Sequence, residues 1–195
     1  MLILMGKTAS GKDTVLNKLV REHEYKKIVT YTTRPKRKKE IQDITYHFIS
    51  EYEFKEKIES GFFMEYKEYH SIQGTWYYGS AKEDYEMSDE KTVIILTPDG
   101  YRDFLRECSN VDHTSVYLYS NNKTLENRLI KRGDDPKEAK RRLDSDNKDF
   151  KGVQNLVHKI VYNNENDLLD EIVNKILEYA NARWLFMLHN VWNKK

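Results

Sequence analysis

The fold is decided by residues 2–14, which read L-I-L-M-G-K-T-A-S-G-K-D-T. The first four are apolar and stop at a glycine, as is typical of a buried central strand. Residues 6–12 then fit the pattern G-x-x-x-x-G-K, and apolar residues at helical spacing follow between Val15 and Val20. A strand, a glycine-rich loop and a helix in this order predict a phosphate-binding loop.

The glycines of this loop allow its backbone N–H groups to point at phosphate oxygens, and the helix N-terminus adds its dipole. Lys12 supplies a positive charge for the β- and γ-phosphates of a nucleotide. The next residue is Asp13, where the motif usually has Ser or Thr, and a carboxylate is also a hard oxygen ligand for Mg²⁺. We therefore predict that Asp13 and Thr14 bind Mg²⁺. The negative charge of Asp13 at the start of a helix also interacts favourably with the helix dipole, and the two roles are compatible. The residues predicted to bind the nucleotide triphosphate are Gly6, Lys7, Thr8, Ala9, Ser10, Gly11, Lys12, Asp13 and Thr14.

Composition excludes several classes of protein. Among 195 residues, 33 Lys and Arg oppose 32 Asp and Glu, so the chain lacks the basic excess of a typical nucleic-acid binder. Its apolar runs fall short of the ~20 residues that span a bilayer, and the apolar start lacks the features of a signal peptide. The single cysteine, Cys108, excludes an internal disulfide and a multi-thiolate metal site. We expect a globular, cytoplasmic enzyme or binding domain.

Further buried strands are predicted along the rest of the chain, at 92–97, 114–119 and 159–162. Helical patterns follow them, at 101–108, 123–131, 136–150 and 166–179. Buried strands that alternate with helices predict an α/β fold, with a parallel sheet and helices on both faces. Residues 182–192 predict a terminal helix with one apolar face, and we expect it to pack on its own core rather than form a dimer contact.

Two segments interrupt this alternation. Residues 30–80 are rich in tyrosine and contain short alternating runs, which predict a small mixed insertion with a helix at 52–60. Residues 120–150 are mostly polar and rich in arginine, and they predict a helical lid. The predicted domains are a core of 1–29, 81–119 and 151–195, the insertion 30–80 and the lid 120–150.

A second basic segment lies in the insertion, where residues 32–37 read T-T-R-P-K-R. Arg34 and Arg37 are three residues apart on a chain stiffened by proline, and Tyr46 and Tyr78 follow. Guanidinium groups bind phosphate dianions in bidentate fashion, and tyrosine hydroxyls add neutral donors. Such a basic loop is as often only a solvated loop or a nucleic-acid patch. The neighbouring aromatic residues and the first phosphate loop favour a second phosphate site.

The chain resembles the guanylate kinase family across almost its full length. The shared motifs are the phosphate loop, T-T-R-P-x-R, Y-H-F, F-M-E-Y, W-Y-Y-G-S, the arginine-rich segment 128–142, and an asparagine after the late strand. The resemblance implies a P-loop kinase fold with a parallel sheet flanked by helices, an acceptor-binding insertion and a helical lid. It also implies transfer of the γ-phosphoryl group of ATP to GMP or dGMP, with Mg²⁺.

The resemblance further implies a role for individual residues. The residues that would face the guanine base are Thr30, Glu65, Ser80 and Thr97, the last of which stands where the family has an aspartate. The acceptor phosphate would be held by Arg34, Arg37, Tyr46 and Tyr78. The catalytic residues that neutralise the transferring phosphoryl group would be Lys12, Arg128, Arg132 and Arg142, and Asn163 would contact the donor adenine.

Two other functions stay open at this point. Because Thr97 replaces an aspartate, the acceptor could be another nucleoside monophosphate or a ribose phosphate. A non-catalytic binding module is less favoured, since such domains typically lose the loop lysine and Lys12 is present. The expected partners are small-molecule nucleotides, with no nucleic acid and no membrane, and the chain is expected to be a monomer or a homodimer.

Overall fold

The structure is a computed structural model, and it describes residues 1–38, 40–71 and 74–192, with the side chains of the last helix described up to residue 185. The first half contains β1 (Leu2–Met5), α1 (Lys12–Glu22), β2 (Lys26–Lys27), β3 (Tyr31–Thr32), β4 (His47–Phe48), α2 (Glu51–Glu59), β5 (Phe63–Ser71), β6 (Gly74–Ala81) and α3 (Lys82–Glu86). The second half contains β7 (Thr92–Ile95), α4 (Pro98–Glu107), β8 (Thr114–Tyr119), α5 (Asn122–Arg132), α6 (Pro136–Asp149), a 3₁₀ turn (Val153–Asn155), β9 (Lys159–Tyr162) and α7 (Leu169–Trp192). No helix in the described part of the chain is long and apolar enough to cross a bilayer.

The chain divides into two compact units. The first comprises Met1–Lys26, Glu90–Pro98 and His113–Lys195, and the second comprises Lys27–Asp89 and Asp99–Asp112.

The first unit is built on a five-stranded sheet of order β2-β7-β1-β8-β9. β1 pairs in parallel with β7 on one side and β8 on the other, and β8 pairs in parallel with β9. All four residues of β1 are buried, because this central strand is covered on both faces. The predicted parallel sheet flanked by helices is therefore confirmed. The core of this unit consists of Leu2, Leu4, Val15, Leu16, Leu19, Tyr25, Val93, Val116, Leu118, Val161, Ile172, Val173 and Ile176.

Several helix boundaries differ from those predicted. α1 begins at Lys12, three residues before the apolar residues that predicted it, because Gly11, with φ 89°, ends the loop as the N-cap. α4 begins at Pro98 rather than at residue 101, since the fixed φ of proline suits the first turn of a helix. The two helices predicted near the C-terminus form one helix, α7. Its residues Ile172 and Ile176 pack on the core, while the predicted contacts of Leu188, Val191 and Trp192 lie outside the described side chains.

The second unit contains a mixed four-stranded sheet of order β4-β3-β6-β5. β3 pairs in parallel with β4 and antiparallel with β6, and β5 and β6 form an antiparallel hairpin. α2 begins with a capping box in which Ser50 and Glu53 each bond the other's backbone N–H. Phe54 of α2 is buried and stacks on Phe63, with ring centroids 4.4 Å apart. The small mixed insertion predicted for residues 30–80 takes this form.

His158, just before β9, makes the stability of the first unit sensitive to acid. Its Nδ1 accepts a hydrogen bond from the Ser115 N–H at 3.0 Å. Burial, Arg183 and His113 together lower the pKa of His158 from 6.5 to about 4. Between those two pH values the unfolded chain binds a proton that the folded chain does not, so the free energy of unfolding falls as the pH is lowered.

We therefore expect wild type to lose thermal stability from pH 7 to pH 5, and His158→Gln to lose less over the same interval because that titration is removed. Thermal denaturation of both proteins at both pH values measures this difference. Equal losses in the two proteins would show that His158 does not titrate in this way.

Candidate active site

The loop between β1 and α1 favours glycine at two positions, one because of a close contact and the other because of its backbone conformation. A side chain at Gly6 would collide with the hydroxyl of Ser10. A Cβ at Gly11 would lie 2.5 Å from Asn163 Nδ2, and the φ of Gly11 is in the left-handed region. The Ser10 N–H donates to the Lys7 carbonyl at 3.1 Å and closes the turn. The two motif glycines are thus explained by packing and backbone conformation.

Asn163 and Arg128 hold the carbonyl groups of this loop. Asn163 Nδ2 donates to the Ser10 carbonyl at 2.7 Å, and its Oδ1 accepts from Arg128 Nη2 at 3.0 Å. Arg128 Nη1 also donates to the Ala9 carbonyl at 3.3 Å. Burial lowers the pKa of Arg128. In this structure both side chains support the loop. The predicted contacts of Arg128 with the phosphoryl group and of Asn163 with adenine stay predictions.

The loop already binds an anionic group in this structure, the carboxylate of Asp146 in α6. The Thr8 N–H donates to Asp146 Oδ2 at 2.5 Å, and Lys7 Nζ donates to Asn147 Oδ1 at 2.6 Å. Burial raises the pKa of Asp146, while the Thr8 N–H and the charges of Lys12 and Lys7 oppose that shift. Sequence reasoning missed Asp146, because only its place in a polar helix could have indicated it. The contact shows that this loop presents an N–H group to an anionic oxygen.

Lys12 and the two residues after it open α1. Lys12 Nζ donates to the Lys7 carbonyl at 3.3 Å, across the loop. Asp13 and Thr14 are exposed in the first turn of the helix. The described residues contain no group of three or more His, Cys, Asp or Glu that forms a metal site of its own. One carboxylate and one hydroxyl fit Mg²⁺ that arrives with a nucleotide, since Mg²⁺ commonly keeps waters and uses substrate phosphates as ligands.

The remaining predicted catalytic arginines are paired within the segment 120–150. Arg132 Nε donates to Asp134 Oδ1 at 2.6 Å, and Arg142 Nε donates to Glu138 Oε1 at 2.8 Å. Hydrogen bonds from Arg141 and then Arg142 lower the pKa of Glu138 to about 2. α5 and α6 pack through a small apolar cluster that also contacts the phosphate loop, made of Leu125, Leu129 and Leu143 with Ala9 and Ala139. The arginines thus lie on helices that rest on the loop.

In the second unit Arg34 is buried, with 5% of its surface exposed, and holds a carboxylate. Its Nη1 and Nη2 donate to the two oxygens of Glu40 at 2.9 and 2.7 Å, and its Nε donates to the Tyr78 hydroxyl at 3.2 Å. The Tyr46 ring lies 5.5 Å from the guanidinium. Burial lowers the pKa of Arg34, but its bonds with Glu40 and Tyr78 outweigh burial and raise it. The structure thus brings Arg34, Tyr46 and Tyr78 together.

Glu40 is a residue that sequence reasoning missed, although its position three residues after Arg37 was a signal. Its pKa is lowered, first by the hydrogen bond from Arg34. Its two oxygens take the bidentate geometry that a guanidinium also offers to a phosphate.

The other predicted acceptor residues have different surroundings. Arg37 is exposed, and its backbone N–H donates to Glu40 Oε2 at 2.8 Å. Thr30 is half-buried, and its carbonyl accepts from the His47 N–H at 2.9 Å. Thr97 belongs to the first unit, where it follows β7. The roles of Thr97 and Thr30 toward the base, and of Arg37 toward the acceptor phosphate, stay predictions.

Glu65 and Ser80 are direct register partners on β5 and β6. The Ser80 hydroxyl donates to Glu65 Oε1 at 2.7 Å. Burial raises the pKa of Glu65 despite that hydrogen bond. A Cβ at Gly79 would lie 3.0 Å from the Phe63 ring and 3.1 Å from the Phe54 ring, so a glycine is needed for this close packing. The arrangement presents a fixed carboxylate, an acceptor suited to a ligand edge with two N–H donors.

Comparisons with known proteins show which family this chain is similar to. The family model described as guanylate kinase matches residues 1–183. A guanylate kinase of Clostridium tetani is 32% identical over 93% of this chain and 85% of its own length. One of Campylobacter jejuni is 29% identical over 100% of this chain and 97% of its own length. The crystal structure of guanylate kinase from Anaplasma phagocytophilum superposes with a TM-score of 0.68 at 20% identity, covering 93% of this chain and 84% of that one.

Proposed function

The chain belongs to the guanylate kinase family, and from this we propose that it transfers the γ-phosphoryl group of ATP to GMP or dGMP. The products are ADP and GDP or dGDP. The observation that carries the proposal is the pair of features in the second unit: a buried guanidinium that holds an anion in bidentate fashion, and a half-buried carboxylate fixed by Ser80. One fits a phosphate dianion, and the other fits the two-donor edge of guanine.

The donor nucleotide is held by the loop of the first unit. Its backbone N–H groups and the α1 N-terminus bind phosphate oxygens, and Lys12 adds a full positive charge. Mg²⁺, when bound with ATP, would be held by Asp13 and Thr14 and neutralises phosphate charge. Phosphoryl transfer needs positioning and charge neutralisation more than acid or base chemistry. The paired arginines Arg132 and Arg142 supply further positive charge once released from their carboxylates.

The acceptor nucleotide replaces Glu40 on Arg34, since both present two oxygens to one guanidinium. Tyr78 and Tyr46 flank that guanidinium. Ionised Glu65 accepts from guanine N1–H and N2–H, which adenine lacks, so AMP would leave this half-buried carboxylate with only its hydrogen bond from Ser80.

A second candidate acceptor is another nucleoside monophosphate, and Thr97 in place of an aspartate favours it. A ribose phosphate without a base fits less well, because the half-buried Glu65 would then have no base edge to accept from.

A coupled assay with ATP, Mg²⁺ and the acceptors GMP, dGMP, AMP and CMP tests the proposal. We expect GMP and dGMP to be used at least about 100-fold more efficiently than AMP, as for sites that bond a substrate N–H.

Glu65→Gln should lower kcat/KM for GMP by about 100-fold and leave the KM for ATP unchanged, because an amide nitrogen opposes the donors of guanine. The matched control is Glu68→Gln, an exposed glutamate of the same strand. Equal use of AMP and GMP by wild type would favour the second candidate.

Asp146 provides a prediction about the donor site. Its carboxylate occupies the Thr8 N–H and adds a negative charge beside Lys12, so it competes with the triphosphate. Asp146→Asn should therefore lower the KM for ATP about five-fold, equivalent to about 1 kcal/mol of removed charge repulsion. Asp144→Asn, at an exposed position on the same helix, is the control. An unchanged or higher KM for ATP in Asp146→Asn would show that the carboxylate does not compete.

A further inference from the structure

Tyr85 of α3 lies directly behind the residues that we assign to the base, in the same unit. Its side chain is fully buried, and its ring lies 5.6 Å from that of Phe104. Its hydroxyl is 2.7 Å from Ser80 Oγ, and Ser80 is fully buried as well. The resemblance to guanylate kinases did not single out Tyr85, and packing against Phe104 needs no hydroxyl. The position of the hydroxyl therefore calls for a reason of its own.

The hydrogen bonds fix the direction in which each proton points. The carboxylate of Glu65 can only accept, so the Ser80 hydroxyl donates its single proton to Glu65 Oε1. Ser80 Oγ must then accept from the Tyr85 hydroxyl. Burial raises the pKa of Tyr85 well above its ordinary value, which keeps this hydroxyl protonated. The result is a one-way chain from Tyr85 through Ser80 to Glu65.

We propose that Tyr85 is a positioning residue for the acceptor base, which acts through Ser80 to hold Glu65 ionised and in place. This inference rests on the proposed function of Glu65. Because Ser80 accepts from Tyr85, it is a stronger donor to Glu65, as hydrogen bonds in a chain polarise one another. With Oε1 held by Ser80, Glu65 retains acceptor capacity for the two N–H groups of guanine. Without Tyr85, the Ser80 hydroxyl is free to rotate away.

The ionisation of Glu65 reports on this chain. Burial and the charge of Asp103 raise the pKa of Glu65, and the Ser80 hydrogen bond and Lys67 lower it. Asp84 and Cys108 act electrostatically on the Tyr85 hydroxyl. Loss of the Tyr85 hydroxyl weakens the Ser80 donor, so the pKa of Glu65 should rise further. As the pH is lowered, Glu65 is then protonated earlier and GMP binding is lost at a higher pH than in wild type. The reason is that only the ionised carboxylate accepts both guanine donors.

The test is Tyr85→Phe, which keeps the ring and removes the hydroxyl. We expect the KM for GMP to rise about five- to ten-fold, the size of one lost hydrogen bond, with the KM for ATP and kcat within about two-fold of wild type. The acidic limb of kcat/KM for GMP should move to higher pH. Tyr101→Phe, at another buried tyrosine next to Phe104, is the control and should change neither quantity.

A double-mutant cycle with Ser80→Ala decides whether Tyr85 acts through Ser80. In the Ser80→Ala background, Tyr85→Phe should have no further effect on the KM for GMP. An equal effect in both backgrounds, a wild-type KM and pH profile in Tyr85→Phe, or a parallel rise in the KM for ATP would each overturn the inference.

A measurement without substrate separates this inference from the proposed function. Carboxyl ¹³C NMR titration of Glu65 in unliganded wild type and in Tyr85→Phe should show a higher pKa in the variant. If Tyr85→Phe does not fold, the same titration of Ser80→Ala should show the shift. An unshifted pKa overturns the inference, whereas a shifted pKa in a protein that rejects GMP supports the chain and defeats the assignment of the base.

Discussion

Lys12→Ala lowers kcat for GMP phosphorylation by at least about 100-fold, in line with the loss of a preorganised charge at a transferring group. Lys12 begins α1, and its ammonium lies 3.3 Å from the Lys7 carbonyl, across the phosphate loop. In the proposed reaction its positive charge would neutralise negative charge on the transferred phosphoryl group. Alanine is a good helix former, so α1 and the loop glycines should keep their conformation. Steady-state kinetics with saturating ATP and GMP measures the effect.

The control for Lys12→Ala is Lys175→Ala, which removes an exposed lysine from α7 in the same unit and should leave kcat unchanged. Thermal denaturation should show that both variants are folded. A folded Lys12→Ala protein that keeps wild-type turnover would contradict our assignment of the donor site.

Arg34→Ala raises the KM for GMP by about 100-fold or more, because two charge-assisted hydrogen bonds of about 1.5–3 kcal/mol each are lost. The KM for ATP should stay within about two-fold of wild type, since Arg34 belongs to the second unit and the phosphate loop to the first. The variant also leaves the Glu40 carboxylate, whose side chain is 14% exposed, without its partner. We therefore expect a lower melting temperature as well.

Glu40→Gln provides the companion measurement for Arg34. It keeps the guanidinium and removes the competing charge, so it should preserve or improve GMP binding while it also loses the ion pair. Arg102→Ala, at an exposed arginine of the same unit, should change neither KM. Loss of ATP binding equal to that of GMP in Arg34→Ala would instead indicate general misfolding.

Local sequence patterns were sufficient to predict several strands and the phosphate loop. The boundaries of β1, β8 and β9 match the predicted strands. β1 and β8 are buried almost throughout, as is typical of central strands of a parallel sheet. The loop from Gly6 to Lys12 was predictable since its two glycines are favoured by local requirements, a close contact with Ser10 at Gly6 and the left-handed backbone at Gly11. The continuous α7 was not, because no Gly or Pro lies between its two apolar stretches and a polar interruption does not end a helix.

The partners of the site residues lay beyond local patterns. Asp146 meets Thr8 across 138 positions of sequence, and no spacing rule relates the two. Glu65 and Tyr85 are joined only through Ser80, by the register of β5 on β6 and the start of α3. Glu40 was visible as an acidic residue in a basic loop, but only the fold shows that Arg34 is buried against it. Such contacts depend on tertiary packing, which propensity and periodicity do not encode.

In the proposed reaction the γ-phosphoryl group of ATP ends on the phosphate of GMP. The direct measurement incubates the protein with Mg²⁺, GMP and ATP labelled at the γ-phosphate, and separates the products by chromatography. We predict that the label appears in GDP, in step with ADP formation, and that ADP formation stops when GMP is omitted. Label released as inorganic phosphate, or ADP formed at the same rate without GMP, would contradict the account.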